Sequence, residues 1–143
     1  MKSTAKNMPL EIVTPEREVF KGEILFGVFP GTEGELGILP GHAHILTSLG
    51  AGEIRLRTGD GSRYLAVSAG FLEVGKNGIS VLAETAEPAE DIDILRAERS
   101  REQAIEGMAR EPSGDEYAQA VARLARAEAR LKAAESAGRI KKT

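Results

Sequence analysis

Five arginines in the last third of the chain hold its best opportunity for chemistry. Arg96 and Arg99 fall on one predicted helix, and Arg123, Arg126 and Arg130 on the next. Arg126 and Arg130 are i, i+4 neighbours and share a helix face. If the two helices close with Arg96 opposite that pair, three guanidiniums converge. Such a cluster requires an anion, either nearby carboxylates or a phosphate chain. Spacing alone favours the plainer arrangement, a set of solvated pairs within each helix.

Other candidate groups are weaker. The stretch GELGILPGH, Gly34 to His42, is rich in glycine, but Gly31, Gly34 and Gly37 match neither the G-x-G-x-x-G nor the G-x-x-x-x-G-K-[ST] spacing. No helix is predicted after it, so no helix N-terminus is on hand for a phosphate. It reads instead as a β-corner, with glycines for positive φ and Pro40 for a turn. Glu35 and His42 flank its apolar centre, so the loop is expected to present both outward. His42 and His44 lack a third histidine or any cysteine to complete a metal site. The carboxylate pairs Asp91/Asp93 and Glu84/Glu87 have no histidine, lysine or hydroxyl arranged beside them for acid–base work. Helix capping and solvation explain them better. The residues form no catalytic constellation.

Two kinds of element must position these groups. From residue 8 to 87, short apolar runs recur between turn signals: LEIV, REVF, ILFGVF, LGIL, HILTSL, EIRLRT, RYLAVSA, FLEV and ISVLAE. In Glu53-Ile54-Arg55-Leu56-Arg57 the period is two, which predicts a strand with Arg55 and Arg57 on a wet face. Asn77-Gly78 suits a type I′ hairpin. Many closely spaced strands predict an antiparallel sandwich or flattened barrel over residues 1–87. After Pro88 the composition turns to alanine and charge. Asp91 or Asp93 can cap a helix running to about Arg110, and Ser113 or Asp115 a second reaching about Ala137, with Glu111-Pro112-Ser113-Gly114 between them. Residues 88–143 are thus expected to form an antiparallel helical hairpin. Its predicted seam draws on Leu95, Ala97, Ala104, Ile105 and Met108 against Tyr117, Val121, Leu124 and Leu131. Much of it is alanine, and a buried methyl contributes under about 1 kcal/mol, so the hairpin is expected to dock weakly.

Whole-chain properties narrow the function. The chain has 143 residues, no cysteine and a formal charge of −3. A compact chain of this size buries roughly 70% of the surface its unfolded form exposes, so it needs no disulfide or metal for stability. An acidic balance argues against general nucleic-acid binding. The apolar stretches are far shorter than the ~20 residues of a membrane span, and no apolar core follows the first lysines as a secretory signal would require. A cytoplasmic location is expected. From Asp115 onward, however, seven bases face four acids. A basic second helix on an acidic protein fits an acidic partner, although cations near helix C-termini are also favoured by the dipole.

GELGILPGHAHILTSL, followed by YLAVSAGFLEV and ISVLAETAE, resembles the epsilon-subunit family of bacterial F-type ATP synthases, and the resemblance spans about residues 9–136. It implies an antiparallel β-sandwich of about ten strands followed by a two-helix hairpin, and a non-catalytic subunit of the rotating central stalk. The implied partners are the gamma subunit and the c-ring. The hairpin, when extended, adds the beta and alpha subunits. The implied location is peripheral, on the cytoplasmic face of the bacterial membrane, without insertion into it. Glu35 and His42 match the positions that face the c-ring loops. Arg123, Arg126, Arg130 and Lys132 match the basic second helix that meets the beta subunit when the hairpin extends and restrains hydrolysis.

Some members of that family bind regulatory ATP in the folded hairpin through an [IL]-D-x-x-R-A signature. This chain reads Ile92-Asp93-Ile94-Leu95-Arg96-Ala97. Glu87, Arg126 and Arg130 match further ATP-contacting positions. Gln103 departs from the pattern, standing where such binders carry another arginine. No cofactor is required. The competing expectation is a stand-alone nucleotide-sensing module that uses the hairpin arginines and has no use for Glu35 or His42.

Overall fold

A computed structural model describes residues 6–41 and 44–141. Ten strands come first: β1 Met8–Val13, β2 Glu18–Ile24, β3 Phe26–Gly31, β4 Gly34–Ile38, β5 Ile45–Leu49, β6 Gly52–Thr58, β7 Gly61–Val67, β8 Gly70–Gly75, β9 Gly78–Ala83 and β10 Ala86–Pro88. A 3₁₀ turn, Ala89–Asp91, leads into helices α1, Ile94–Ala109, and α2, Gly114–Ser136. The expected sandwich followed by a helical hairpin is the observed fold, and the strand pairs are antiparallel as expected except for one, β1 with β9.

The strands form one sheet in the order β10-β7-β6-β3-β5-β8-β9-β1-β2, with β4 paired to β3. This sheet folds over onto itself. The alternation that predicted strands is also what fills the core. Met8, Leu10 and Ile12 of β1 point inward, as do Leu72 and Val74 of β8 and Ile79, Val81 and Ala83 of β9, around a fully buried Phe29. β1 and β9 pair in parallel, Leu10 opposite Ile79. That contact lets the chain's first strand close the structure against its next-to-last.

One turn differs from expectation. Gly75 pairs with Gly78, so the hairpin turns on Lys76-Asn77, and neither has positive φ. The positive φ falls on Gly78, at 123°, just after the turn. The β3–β4 hairpin repeats the device with Thr32-Glu33 and Gly34 at φ 130°. A two-residue turn of ordinary handedness splays its strands, and a following glycine corrects the register. GELGILPGH is accordingly a short strand, Gly34–Ile38, followed by a turn at Pro40-Gly41, rather than a corner throughout.

The hairpin caps are those the residue types predict. The Asp93 carboxylate accepts from Arg96 N–H at 3.1 Å. Ser113 and Glu116 form a reciprocal capping box, with Ser113 N–H donating to Glu116 at 2.9 Å and Glu116 N–H to Ser113 Oγ at 3.2 Å. Between the helices Glu111 takes φ 48°.

The hairpin seam is the predicted one only in part: Ala97, Ala104 and Leu131 are buried and Met108 and Leu124 half-buried, but the other four are exposed. Leu95, Ile105, Tyr117 and Val121 are 66%, 51%, 49% and 41% exposed. The buried hairpin residues are Ala97 and Ala104 of α1 and Ala127, Ala129, Leu131, Ala133 and Ala134 of α2. Close approach of two backbones needs small side chains, and of the larger apolar residues Leu131 is buried while Leu95, Ile105, Tyr117 and Val121 stand at the rim. α2 lies across the outer face of β6 and β7, where Ala129 and Ala133 pack with Ala66, Ala89 and Ile92, flanked by Tyr64. The outer face of β6 is therefore only partly wet. Arg57 is exposed, but Glu53 at the other end is 4% exposed.

An arginine-lined cleft in the helical hairpin

Docking the hairpin on the sheet creates a cleft of about 350 Å³, lined by Glu87, Asp93, Arg96, Ala97, Ser100, Arg123, Arg126 and Arg130. Each element contributes through its own periodicity. Asp93, the cap of α1, is followed by Arg96, Ala97 and Ser100 at i+3, i+4 and i+7, one helix face. Arg123, Arg126 and Arg130 form the matching face of α2. Glu87 reaches in from β10, which hydrogen-bonds to β7 with Glu87 opposite Ala66.

Arg130 Nε donates to Glu87 Oε1 at 3.0 Å, and both side chains are about one-third exposed. Among the described residues no carboxylate lies within 4 Å of the Arg96, Arg123 or Arg126 guanidiniums. Four arginines thus meet two carboxylates, one of them already used to cap a helix. Like charges around a common cleft are stabilised by a bound anion, and guanidinium forks match phosphate oxygens. Its volume is at the small end of ligand pockets, which run from about 300 Å³.

The structure assembles Glu87, Asp93, Arg96, Ala97, Arg126 and Arg130 in one place. It puts Ile92 elsewhere. That side chain is buried against Ala66, Ala89, Ala129 and Ala133, where it anchors the linker and does not line the cleft. Gln103 is exposed and lies outside the lining, as do Arg99 and Arg101. Lys132 is exposed on α2, away from the cleft lining. Ser100 was not expected there, although its i+4 spacing from Arg96 on a helix places it on the same face.

The second candidate region is the end of the sandwich at β4. Glu35 is exposed and accepts from Arg55 Nη1 at 3.1 Å. The same nitrogen approaches Glu53 Oε1 at 3.4 Å, while Glu53 Oε2 is buried without a partner. Burial lowers the Arg55 pKa, but hydrogen bonding and charge from Glu35, then Glu53, outweigh it and hold the guanidinium above its ordinary range. Glu53 pairs across the strands with Ala66 and so shares the face that carries α2. A charged chain therefore runs from an exposed residue to the sheet surface under the hairpin. Its signal in the sequence was a third outward residue, Glu53, in line with Arg55 and Arg57. His42 lies outside the described residues, so its pairing with Glu35 has no geometry here. His44 packs against Gly75.

The fold and the cleft define a class: a β-sandwich module carrying a docked helical hairpin whose two helices and last strand enclose a cationic cleft. The chain belongs to the ATP synthase Delta/Epsilon chain family. The family's beta-sandwich domain matches residues 7–89 and its long alpha-helix domain residues 90–135. Among its relatives, an ATP synthase epsilon chain of Desulforamulus reducens is 45% identical over 131 residues, covering 92% of this chain and 99% of the relative. One of Syntrophomonas wolfei is 45% identical over 127 residues, covering 88% and 93%. A chain in the mitochondrial ATP synthase OSCP/F1/c-ring structure of Euglena gracilis shares the fold with TM-score 0.78 at 23% identity, covering 90% of this chain and 81% of that one. A chain in the central stalk/c-ring structure from Tetrahymena thermophila superimposes with TM-score 0.59 at 14% identity, covering 92% and 99%.

Proposed function

We propose that this chain is a rotor subunit in the central stalk of a bacterial F-type ATP synthase, non-catalytic itself, which couples rotation to ATP synthesis and restrains ATP hydrolysis through its hairpin. On this reading Glu35 and His42 meet the c-ring loops. The gamma subunit covers the outer face of β5, β8 and β9, where Leu46, Phe71 and Leu82 are exposed on neighbouring strands. Phe71 and Leu82 lie directly opposite each other, and adjacent exposed apolar side chains of this kind mark interaction surfaces. The chain works at the cytoplasmic face of the membrane as a peripheral component. Among the described residues, no helix is long and apolar enough to cross a membrane.

The observation that carries the regulatory part is the cleft. Its walls come from both helices and from β10, so it is complete only while the hairpin is docked. ATP held there by Arg96, Arg123, Arg126 and Arg130 favours the docked state. Undocked, the helices present Leu95, Ile105, Tyr117 and Val121 to gamma, and Arg123, Arg126, Arg130 and Lys132 to an acidic segment of the beta subunit. A weak alanine seam suits a balance of a few kcal/mol between two such states.

Calorimetric titration of the chain with ATP, with and without magnesium, tests the cleft, and millimolar or tighter affinity is expected. Co-purification with a gamma-containing complex tests the rotor assignment, and failure to associate would overturn it. A second reading, a stand-alone nucleotide sensor, is favoured by the same cleft. It predicts ATP binding with no association with gamma and no effect of Glu35→Ala.

A further inference from the structure

The helical tail does not simply end. Gly138 takes φ 82°, and Arg139 N–H donates to the Ala134 carbonyl at 2.9 Å, closing α2 with a left-handed cap. The cap turns the Arg139 side chain back toward the sandwich. Its Nη1 donates to two backbone carbonyls of the linker, Ala89 at 2.8 Å and Ile92 at 2.7 Å. Ala89 opens the 3₁₀ turn and Ile92 is the residue just after it, two positions before α1. Ile92 immediately precedes Asp93, whose carboxylate caps α1 and whose side chain lines the cleft. Arg139 lies beyond residues 90–135, where the family's helical domain matches.

We propose that Arg139 is a latch: a positioning residue that ties the far end of α2 to the linker, holds the hairpin docked and fixes the wall of the cleft from which Asp93 projects. The physical grounds are specific. The hairpin's own seam is mostly alanine methyls, so a few strong polar contacts weigh heavily in its balance. The Ala89 carbonyl already accepts from Ile92 N–H across the 3₁₀ turn, at 3.3 Å, and takes the guanidinium as a second donor; the Ile92 carbonyl lies just past the turn, and a carbonyl has lone pairs for two donors. A guanidinium offers permanent charge and five donors in a fixed planar fork, so it can serve two acceptors at once with little loss of freedom. Undocking α2 must break both bonds together. The latch acts on the closed state only, and it rests on the reading that the hairpin undocks.

Amide hydrogen exchange on the full chain tests this, comparing the native protein with Arg139→Ala and Arg139→Lys. In the native protein, hairpin and linker amides are expected to exchange faster than those of Leu72, Ile79 and Val81 in the sandwich. Arg139→Ala is expected to speed exchange in residues 89–137 by roughly tenfold or more, the effect of losing charge-assisted hydrogen bonds, and to leave the sandwich strands unchanged. Arg139→Lys, which keeps a charge and rotatable donors, is expected to restore part of the protection. If native hairpin amides are as protected as the strands, undocking and latch fall together. If the hairpin opens but Arg139→Ala leaves its exchange unchanged, the latch alone is refuted. Faster exchange throughout the sandwich would also overturn it, because a latch cannot loosen β1 and β9.

Discussion

Replacing Arg126 by alanine separates a phosphate-binding cleft from a merely basic surface. Arg126 faces the cleft between Arg123 and Arg130, and no carboxylate among the described residues lies within 4 Å of it. Its loss should therefore cost the folded protein little, because no buried partner is orphaned. Its contribution to a bound anion should be large. A charge-assisted hydrogen bond contributes about 1.5–3 kcal/mol, which is one to two decades in affinity. Arg130→Ala is predicted to lose more, because it removes a cation and also releases Glu87 from its 3.0 Å ion pair. The freed carboxylate would then face the phosphates. Arg99→Ala serves as the control. Arg99 changes net charge equally but lies outside the cleft, so exposed-charge screening limits its effect to a small, salt-sensitive change. The assay is ATP titration by calorimetry at two salt concentrations, with helicity checked by circular dichroism. Equal affinities for Arg126→Ala and the native chain would refute the cleft. So would equal losses in Arg126→Ala and Arg99→Ala, which would leave only net charge as the cause.

Four further outcomes follow from the geometry. Arg55→Ala should destabilise the chain by about 1–3 kcal/mol, since it strands the buried Glu53 carboxylate, and adding Glu53→Gln should recover much of the loss; urea unfolding of the native chain and the two variants measures both. Ser113→Ala removes half of the capping box and should lower hairpin stability by about 1 kcal/mol, read as faster exchange in α2 while the strands are unaffected. Gly78→Ala should destabilise the sandwich by about 1–3 kcal/mol, because φ is 123° and a Cβ would sit 2.5 Å from the Pro9 carbonyl oxygen; a lowered urea midpoint is the expected observation. On the proposed reading, Phe71→Glu should leave the fold intact and abolish association with gamma in a pull-down, since Phe71 is exposed on the outer face and touches no core residue's position in the register.

The strands and helices were legible because each rests on a local rule. Period-two alternation in Met8–Val13 and Gly78–Ala83, the cap residues Asp93 and Ser113, and the break at Glu111-Pro112 all act within a few residues. The cleft was half legible. Helical spacing put Arg126 beside Arg130, but whether Arg96 would meet them depended on how the hairpin closes, which is a tertiary matter. The seam was read correctly at Ala97, Ala104 and Leu131 and misread at its other end for a physical reason. An apolar stripe such as Tyr117-Val121 normally marks a core face, yet here backbone proximity selects alanine and leaves the larger residues outside. Glu53 was readable only as an outward residue in line with Arg55 and Arg57, and the role of Arg139 was not readable. One depends on which sheet face the hairpin covers, and the other on a cap that redirects a tail.

These misreadings share a direction. In a protein with one preferred state, the larger apolar side chains should be inside and the buried charges absent. Here Leu95, Ile105, Tyr117 and Val121 are outside, and a carboxylate is buried on the sheet face that receives α2. The docked hairpin leaves stabilising apolar surface unused, and it gathers like charges at the cleft. Both features lower the cost of undocking. A ligand specific to the docked state opposes this by mass action, adding about 1.4 kcal/mol when its concentration is near ten times its dissociation constant. Such a term is trivial against a well-packed core, where deleting one Leu72 side chain would cost roughly 2–5 kcal/mol. It is decisive only where the competing states lie within a few kcal/mol. The alanine seam, the displaced apolar stripe and the unpaired guanidiniums each move the hairpin toward that condition, which is why the proposed ATP control requires no large structural device.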